Sequence, residues 1–250
     1  MRAPFPSPNV GRGRGGGHFL LFSSPLVGED GSLANQVGGV QPSGDIDHML
    51  TLYFAPGSSS FATHIALHEV GAAFEAHALS FAKKDMRAPS YLALNPEGKV
   101  PTLLVDGRPL TEVAGILFYL AKTFPDAKLL PGDAEGDAQA VSWMSFIAST
   151  LHPARKSGVE HTTKVYGIAD HRLGKNDWAL GRYSIADIHL FRLYWRLAGA
   201  LKPARGTFPN LEAHHDRMMV RPAVRKTIAI EIAIGYELPA WFPDLEKTSP

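Results

Sequence analysis

Leu50 to Gly71 reads LTLYFAPGSSSFATHIALHEVG, and the punctuation of this stretch sets the fold class. Leu50 to Phe54 is a short run of β-formers, closed by the turn residues Ala55-Pro56-Gly57. Ser58, Ser59 and Ser60 then supply helix N-cap chemistry. Phe61–Ile65 and Ala62–Ala66 lie one helical turn apart, and Gly71 stops the helix. A strand followed at once by a helix marks the opening of an α/β unit.

Toward the C-terminus the alternation continues. Phe74 to Phe81 is predicted as a second strand, Ala88 to Leu94 as a helical turn, and Asn95-Pro96-Glu97-Gly98 as a turn. Thr102 to Val105 is a third strand, opened by Pro101 where a missing N–H is tolerated, and a return strand begins near Leu110. Thr111 is placed to cap a helix whose stripe is Val113, Ile116, Leu117, Leu120 and Phe124, and Pro125 ends it. This order implies a sheet covered by helices. Beyond the loop Asp126 to Gly136 only helices are expected: Ala138 to Leu151, Gly158 to Leu173, Ser184 to about Leu201, Phe208 to Met219 and Pro222 to Ile234. Ser184-Ile185-Ala186-Asp187 has the form of a capping box with Asp in place of Glu, opening a helix so apolar that it belongs at the centre of a bundle. The expected organisation is a mixed α/β domain over residues 49–127 and an all-α domain over residues 137–238.

Residues 1–48 hold ten of the 24 glycines and few apolar anchors, so a flexible tail is expected, with Met49 as the effective start. Gly11 to Gly17, with Arg12 and Arg14, lacks the flanking strand, helix and lysine of a phosphate loop.

A net charge of +1 gives no reason to expect a nucleic-acid partner or an anionic membrane surface. No apolar run approaches the roughly 20 residues of a membrane span. The absence of cysteine removes disulfides, thiolate nucleophiles, CxxC chemistry and cysteine-ligated zinc. His64 and His68 are one helical turn apart but have no third metal ligand at recognisable spacing. Gly57-Ser58-Ser59-Ser60 lacks the closing glycine of a hydrolase elbow.

Four segments in order resemble the glutathione transferase superfamily, in particular its bacterial beta-like branch. They are YFAPGSSSFATHI (Tyr53 to Ile65), NPEGKVPTL (Asn95 to Leu103), LTEVAGILFYL (Leu110 to Leu120) and RYSIADIHLF (Arg182 to Phe191). The resemblance implies a thioredoxin-like glutathione-binding domain followed by an all-helical domain. It also implies a cytoplasmic, homodimeric, metal-free enzyme that transfers the glutathione thiolate to a hydrophobic electrophile. A non-catalytic ligand-binding protein, or a glutathione-dependent peroxidase or dehalogenase, is the alternative; thiol–disulfide exchange is excluded in its ordinary form by the missing cysteine.

The same resemblance assigns roles to residues. Ser60, with Ser59 second, would stabilise the thiolate, and His152 would face the sulfur. Val100 would pair its backbone with the cysteinyl unit beside a cis-proline at Pro101. Glu112 would meet the γ-glutamyl ammonium, with Val113 beside it at the γ-glutamyl site, and Lys84 would meet the glycyl carboxylate. Taken alone, serines before a helix are caps, Glu112 suits a helix dipole and Lys84 suits solvent. The chain departs from the beta-like pattern in having Ser59 where cysteine is usual and Val113 where serine is common. Phe54 stands where tyrosine is frequent, with Tyr53 on the opposite strand face.

Overall fold

The computed structural model describes residues 48–235, so the expectations for the tail, and for the last residues of the second domain, lie outside the described residues. Four strands form one sheet in the order β2-β1-β3-β4: β1 (Leu50–Phe54), β2 (Phe74–Ala78), β3 (Thr102–Val105) and β4 (Arg108–Thr111). β1 runs parallel to β2 and antiparallel to β3, with Leu50 opposite Phe74 on one side and Val105 on the other. β3 and β4 form a hairpin through Asp106-Gly107. Leu50, Leu52 and Phe54 alternate inward along β1, as a strand covered on one face requires.

Helices α1 (Ser60–Glu69) and α3 (Val113–Thr123) pack on the sheet; α2 is a single turn, Pro89–Leu92. Thr111 does not cap α3. The N-cap position belongs to Glu112, and Thr111 is the last ladder residue of β4, opposite Thr102. The remaining helices are α4 (Ala134–Phe146), continued by a π turn over Ile147–Leu151, then α5 (Val159–Leu173), α6 (Ile185–Leu201), α7 (Pro209–Met219) and α8 (Pro222–Ile234). Helix α4 begins four residues before its expected start because Asp133 caps it, accepting a hydrogen bond from the Gly136 N–H at 2.8 Å.

Helix α6 is surrounded, with every residue from Ile185 to Trp195 buried. Its Phe191 and Trp195 join the core of the thioredoxin-like half, where Trp195 stacks on Phe61 at 4.6 Å between ring centroids. The capping box is present: the Ser184 N–H donates to Asp187 Oδ2 at 2.9 Å, and the Ala186 N–H to Ser184 Oγ at 3.3 Å. A second tie joins the two halves at the rim, where Arg221 grips Glu69 with two bonds of 2.7 and 2.8 Å while Tyr183 donates to the same carboxylate at 2.9 Å. Among the described residues, no helix is long and apolar enough to cross a membrane.

Candidate active site

A cleft of about 940 Å³ opens between the sheet half and the helical half. Gly57, Ser58 and Ser59 line it from the loop that leaves β1 and enters α1.

The three serines of this loop have different fates. Ser60 is buried with its hydroxyl committed: it accepts from the Ala55 N–H and donates to the Ala55 carbonyl, both at 3.1 Å. Ser58 Oγ sits 2.7 Å from Ser60 Oγ and accepts from the Ser60 N–H at 3.3 Å. With one donor and two lone pairs engaged, Ser60 has nothing left to offer a ligand. Ser59 stands at the N-cap of α1 with a half-buried hydroxyl that makes no cap bond, and it lines the cleft. Of the two serines expected at the thiol, the helix start turns Ser60, the first choice, inward and leaves Ser59, the second, facing the opening.

Three side chains from the helical half hold this loop. Glu231 of α8 accepts the Gly57 N–H at 2.7 Å, Arg192 of α6 donates to the Ser58 carbonyl at 3.0 Å, and Arg196 donates to the Gly57 carbonyl at 3.2 Å. The other oxygen of Glu231 is 2.9 Å from His64 Nδ1, and both side chains are buried. His64 is thus committed to a carboxylate, and among the described residues no group of three or more metal-ligating side chains forms.

The rest of the sheet-side wall carries most of the remaining expected residues. The Val100–Pro101 bond is cis, and neither backbone group of Val100 has a hydrogen-bond partner among the described residues. Val113 and Ala114 open α3, whose first intrahelical bond is donated by Ile116 to the Glu112 carbonyl, so the N–H groups ahead of it face the cleft without helical partners. Glu112 is exposed at φ +66°, a conformation a non-glycine residue holds only when its surroundings impose it. Lys84 does not reach this wall. It caps a short turn in the left-handed region, and the cations lining the cleft on this side are Arg87 and Lys99. The turn at Gly98 (φ +60°) brings Arg87 in, since a Cβ there would stand 2.7 Å from Arg87 Nη1 and from the Met86 carbonyl. Tyr53 packs on His77 and Tyr91 and is absent from the cleft, and Phe54 lies in the core.

On the helical side His152 faces the cleft beside Arg155, Lys156, His189 and Arg192. Burial, reinforced by Arg192, Arg155 and Lys156, pushes the His152 imidazole down to about 4. It is therefore neutral near pH 7 and too weak a base to take a thiol proton, but it can donate a hydrogen bond. The cations that oppose an imidazolium favour an anion in the same place.

His68, lowered to about 4 chiefly by burial, and His189, lowered to about 3 chiefly by burial, behave alike. In the unfolded chain these rings take up protons near pH 6.5, while the folded chain does not do so until about pH 4. Their contribution to stability is thus complete above pH 6.5 and lost as pH falls toward 4. The urea midpoint is expected to drop between pH 7 and pH 4.5, less steeply in His189→Gln than in the wild type. Parallel curves for the two proteins would show that His189 does not contribute.

Arg192, Arg196 and Glu231 have no counterpart among the expected site residues. The signal was there: two arginines four apart in the apolar helix IADIHLFRLYWRLAGAL, and a lone glutamate in IAIEIAI. Charges in buried stripes need partners, and these found theirs in loop backbone.

Comparison with known proteins agrees with this architecture. The model of the glutathione S-transferase N-terminal domain matches residues 48–122, and that of the C-terminal domain matches residues 112–222. The chain is 32% identical to the glutathione S-transferase GstA of Escherichia coli O157:H7 over 202 residues, 73% of this chain and 98% of that protein. A maleylacetoacetate isomerase of Rhizobium meliloti is 35% identical over 122 residues, 48% of this chain and 56% of that one. Among solved structures, a sphingomonad glutathione S-transferase complexed with glutathione superposes with a TM-score of 0.66 at 32% identity, covering 72% of this chain and 98% of that one. With both halves matched in order and nearly the whole length of a bacterial relative covered, the chain belongs to the glutathione S-transferase superfamily.

Proposed function

We propose that this protein is a glutathione transferase that binds glutathione along the sheet side of the cleft and activates its thiol with Ser59. The observation that carries the reading is the uncommitted Ser59 hydroxyl at the N-terminus of α1, facing the cleft while its neighbours are tied down. Around it are a receptor for each part of the tripeptide. The unpaired Val100 backbone suits the cysteinyl unit as an added strand. The open end of α3 at Val113 and Ala114 suits the γ-glutamyl carboxylate, Glu112 the ammonium, and Arg87 the glycyl carboxylate in place of Lys84.

In this scheme the thiol loses its proton to solvent, and the thiolate accepts a hydrogen bond from Ser59 and another from neutral His152. The sulfur then attacks an electrophilic carbon, forming the C–S bond as a leaving group departs or a double bond takes up the electron pair. Bringing a thiol from about 8.5 to about 7 requires roughly 2 kcal/mol of preference for the anion. One hydrogen bond to a charged acceptor supplies about 1.5–3 kcal/mol and the helix N-terminus about 0.3–1 kcal/mol, so no metal or cysteine is required.

The test is a glutathione binding isotherm with a pH titration of thiolate absorbance in the complex. Saturable binding with a thiol midpoint well below 8.5 is expected. Saturable binding with an unshifted thiol would favour a ligand-binding protein, and no binding would end the proposal. The homodimer belongs to the same proposal, and sedimentation giving only a 27.1 kDa species would remove it.

A further inference from the structure

The helical wall of the cleft is not simply apolar. Leu193, Leu197 and Leu201 of α6 form an apolar strip, and beside it stand Arg155, Lys156, Arg192 and Arg196. None of these four cations has a carboxylate within ion-pair distance among the described residues. Arg192 and Arg196 each spend a donor on the loop carbonyls, and Glu231, which attracts Arg192, is occupied by Gly57 and His64. Arg155 and Lys156 are exposed at the mouth, and Arg196 has guanidinium donors left over. In the same wall His189 is 3% exposed, with its Nδ1 unpartnered among the described residues. Burial, reinforced by the like charge of Arg155, pushes Arg196 down from its ordinary range.

Crowded cations with no ion-pair partner among the described residues, arrayed along an apolar strip, describe a receptor for an amphiphilic anion. The proposed function gives Arg155, Lys156 and the spare donors of Arg196 nothing to bind, because both glutathione carboxylates have receptors on the sheet side. Resting on that reading, we propose that the second substrate is an electrophile with an apolar body and a carboxylate. The body lies against Leu193, Leu197 and Leu201, and the carboxylate is received by Arg155, Lys156 and Arg196. The hydrophobic electrophile implied by the resemblance thereby gains a carboxylate.

Glutathione conjugates test this without turnover. Binding of S-benzylglutathione is compared calorimetrically with that of S-(carboxybenzyl)glutathione carrying the carboxylate at each ring position. The wild type and the Arg155→Gln/Lys156→Gln double variant, both changes at exposed sites, are measured at low and high salt. In the wild type at low salt, at least one carboxybenzyl conjugate is expected to bind about ten-fold tighter than the benzyl conjugate. High salt and the double variant should each bring that ratio close to one. A wild-type ratio of one or below at every ring position overturns the inference, as does a ratio that survives the double substitution. Equal weakening of all conjugates by the variant also overturns it, because the cations would then be serving the tripeptide itself. If no conjugate binds to the folded protein, the glutathione reading fails and takes this inference with it.

Discussion

Replacing Ser59 by alanine is expected to raise the pKa of bound glutathione's thiol by about one to two pH units, the value of one hydrogen bond to an anion. The rate near pH 7 should then fall about ten- to a hundred-fold, with glutathione affinity little changed, because the lost bond matters only to the thiolate. Ser60→Ala is the informative control. Its hydroxyl bridges the N–H and carbonyl of Ala55 inside the protein, so its loss should lower stability by about 1–3 kcal/mol and leave the thiol titration in place. Thiolate absorbance against pH, beside urea unfolding of both variants, separates the two roles. If Ser58→Ala, Ser59→Ala and Ser60→Ala all keep the wild-type titration, the serine mechanism is wrong. His152 and the end of α1 must then hold the anion.

Asp187→Ala should have the larger effect on folding, about 3–5 kcal/mol. Capping alone suggests about 1–2 kcal/mol. The structure adds to that, because Asp187 is fully buried and accepts from four donors or potential donors. Oδ2 takes the Ser184 N–H at 2.9 Å and the Ser184 hydroxyl at 3.0 Å. Oδ1 takes the Ala179 N–H at 2.7 Å and lies 3.1 Å from His214 Nε2. Removing the carboxylate leaves these groups unpartnered where water does not reach. Asp187→Asn keeps one acceptor oxygen and should recover only part of the loss. A urea-derived difference below about 1 kcal/mol for the alanine variant would mean that the buried network contributes little beyond an ordinary cap.

Much of this architecture was legible from local signals. Pro56-Gly57, Gly71, Pro125 and Pro222 punctuate the chain where elements begin or end, and the capping box at Ser184 places the start of α6 correctly. Such features act over one helical turn, so they survive in the sequence. Harder to read was anything that depended on the direction of a side chain or on a partner far along the chain. Ser59 and Ser60 are chemically identical neighbours, and only the helix start decides which faces the cleft. Lys84 has the right charge, but the left-handed turn that it caps takes it away from the wall that Arg87 reaches. Glu231 meets Gly57 across 174 positions, a pairing no local pattern announces. The basic character of the helical wall was hidden for a related reason: its arginines sit in a helix whose composition reads as core.

That pairing also bears on the order in which the molecule is made. The α/β half leaves the synthetic machinery first, but the carboxylate that fixes its Gly57 backbone follows 174 residues later. At about 5–20 residues per second this is an interval on the order of ten to thirty seconds. Even after β4 has completed the strands of the sheet, the loop that presents Ser59 lacks its grip from α8 until Glu231 follows. A chain interrupted after His152 but before Glu231 carries both side chains proposed to touch the thiol and is still expected to be inactive. The proposed thiol activation would in this sense be a late event in biosynthesis, withheld until the segment around Glu231 has been added and folded back onto the loop.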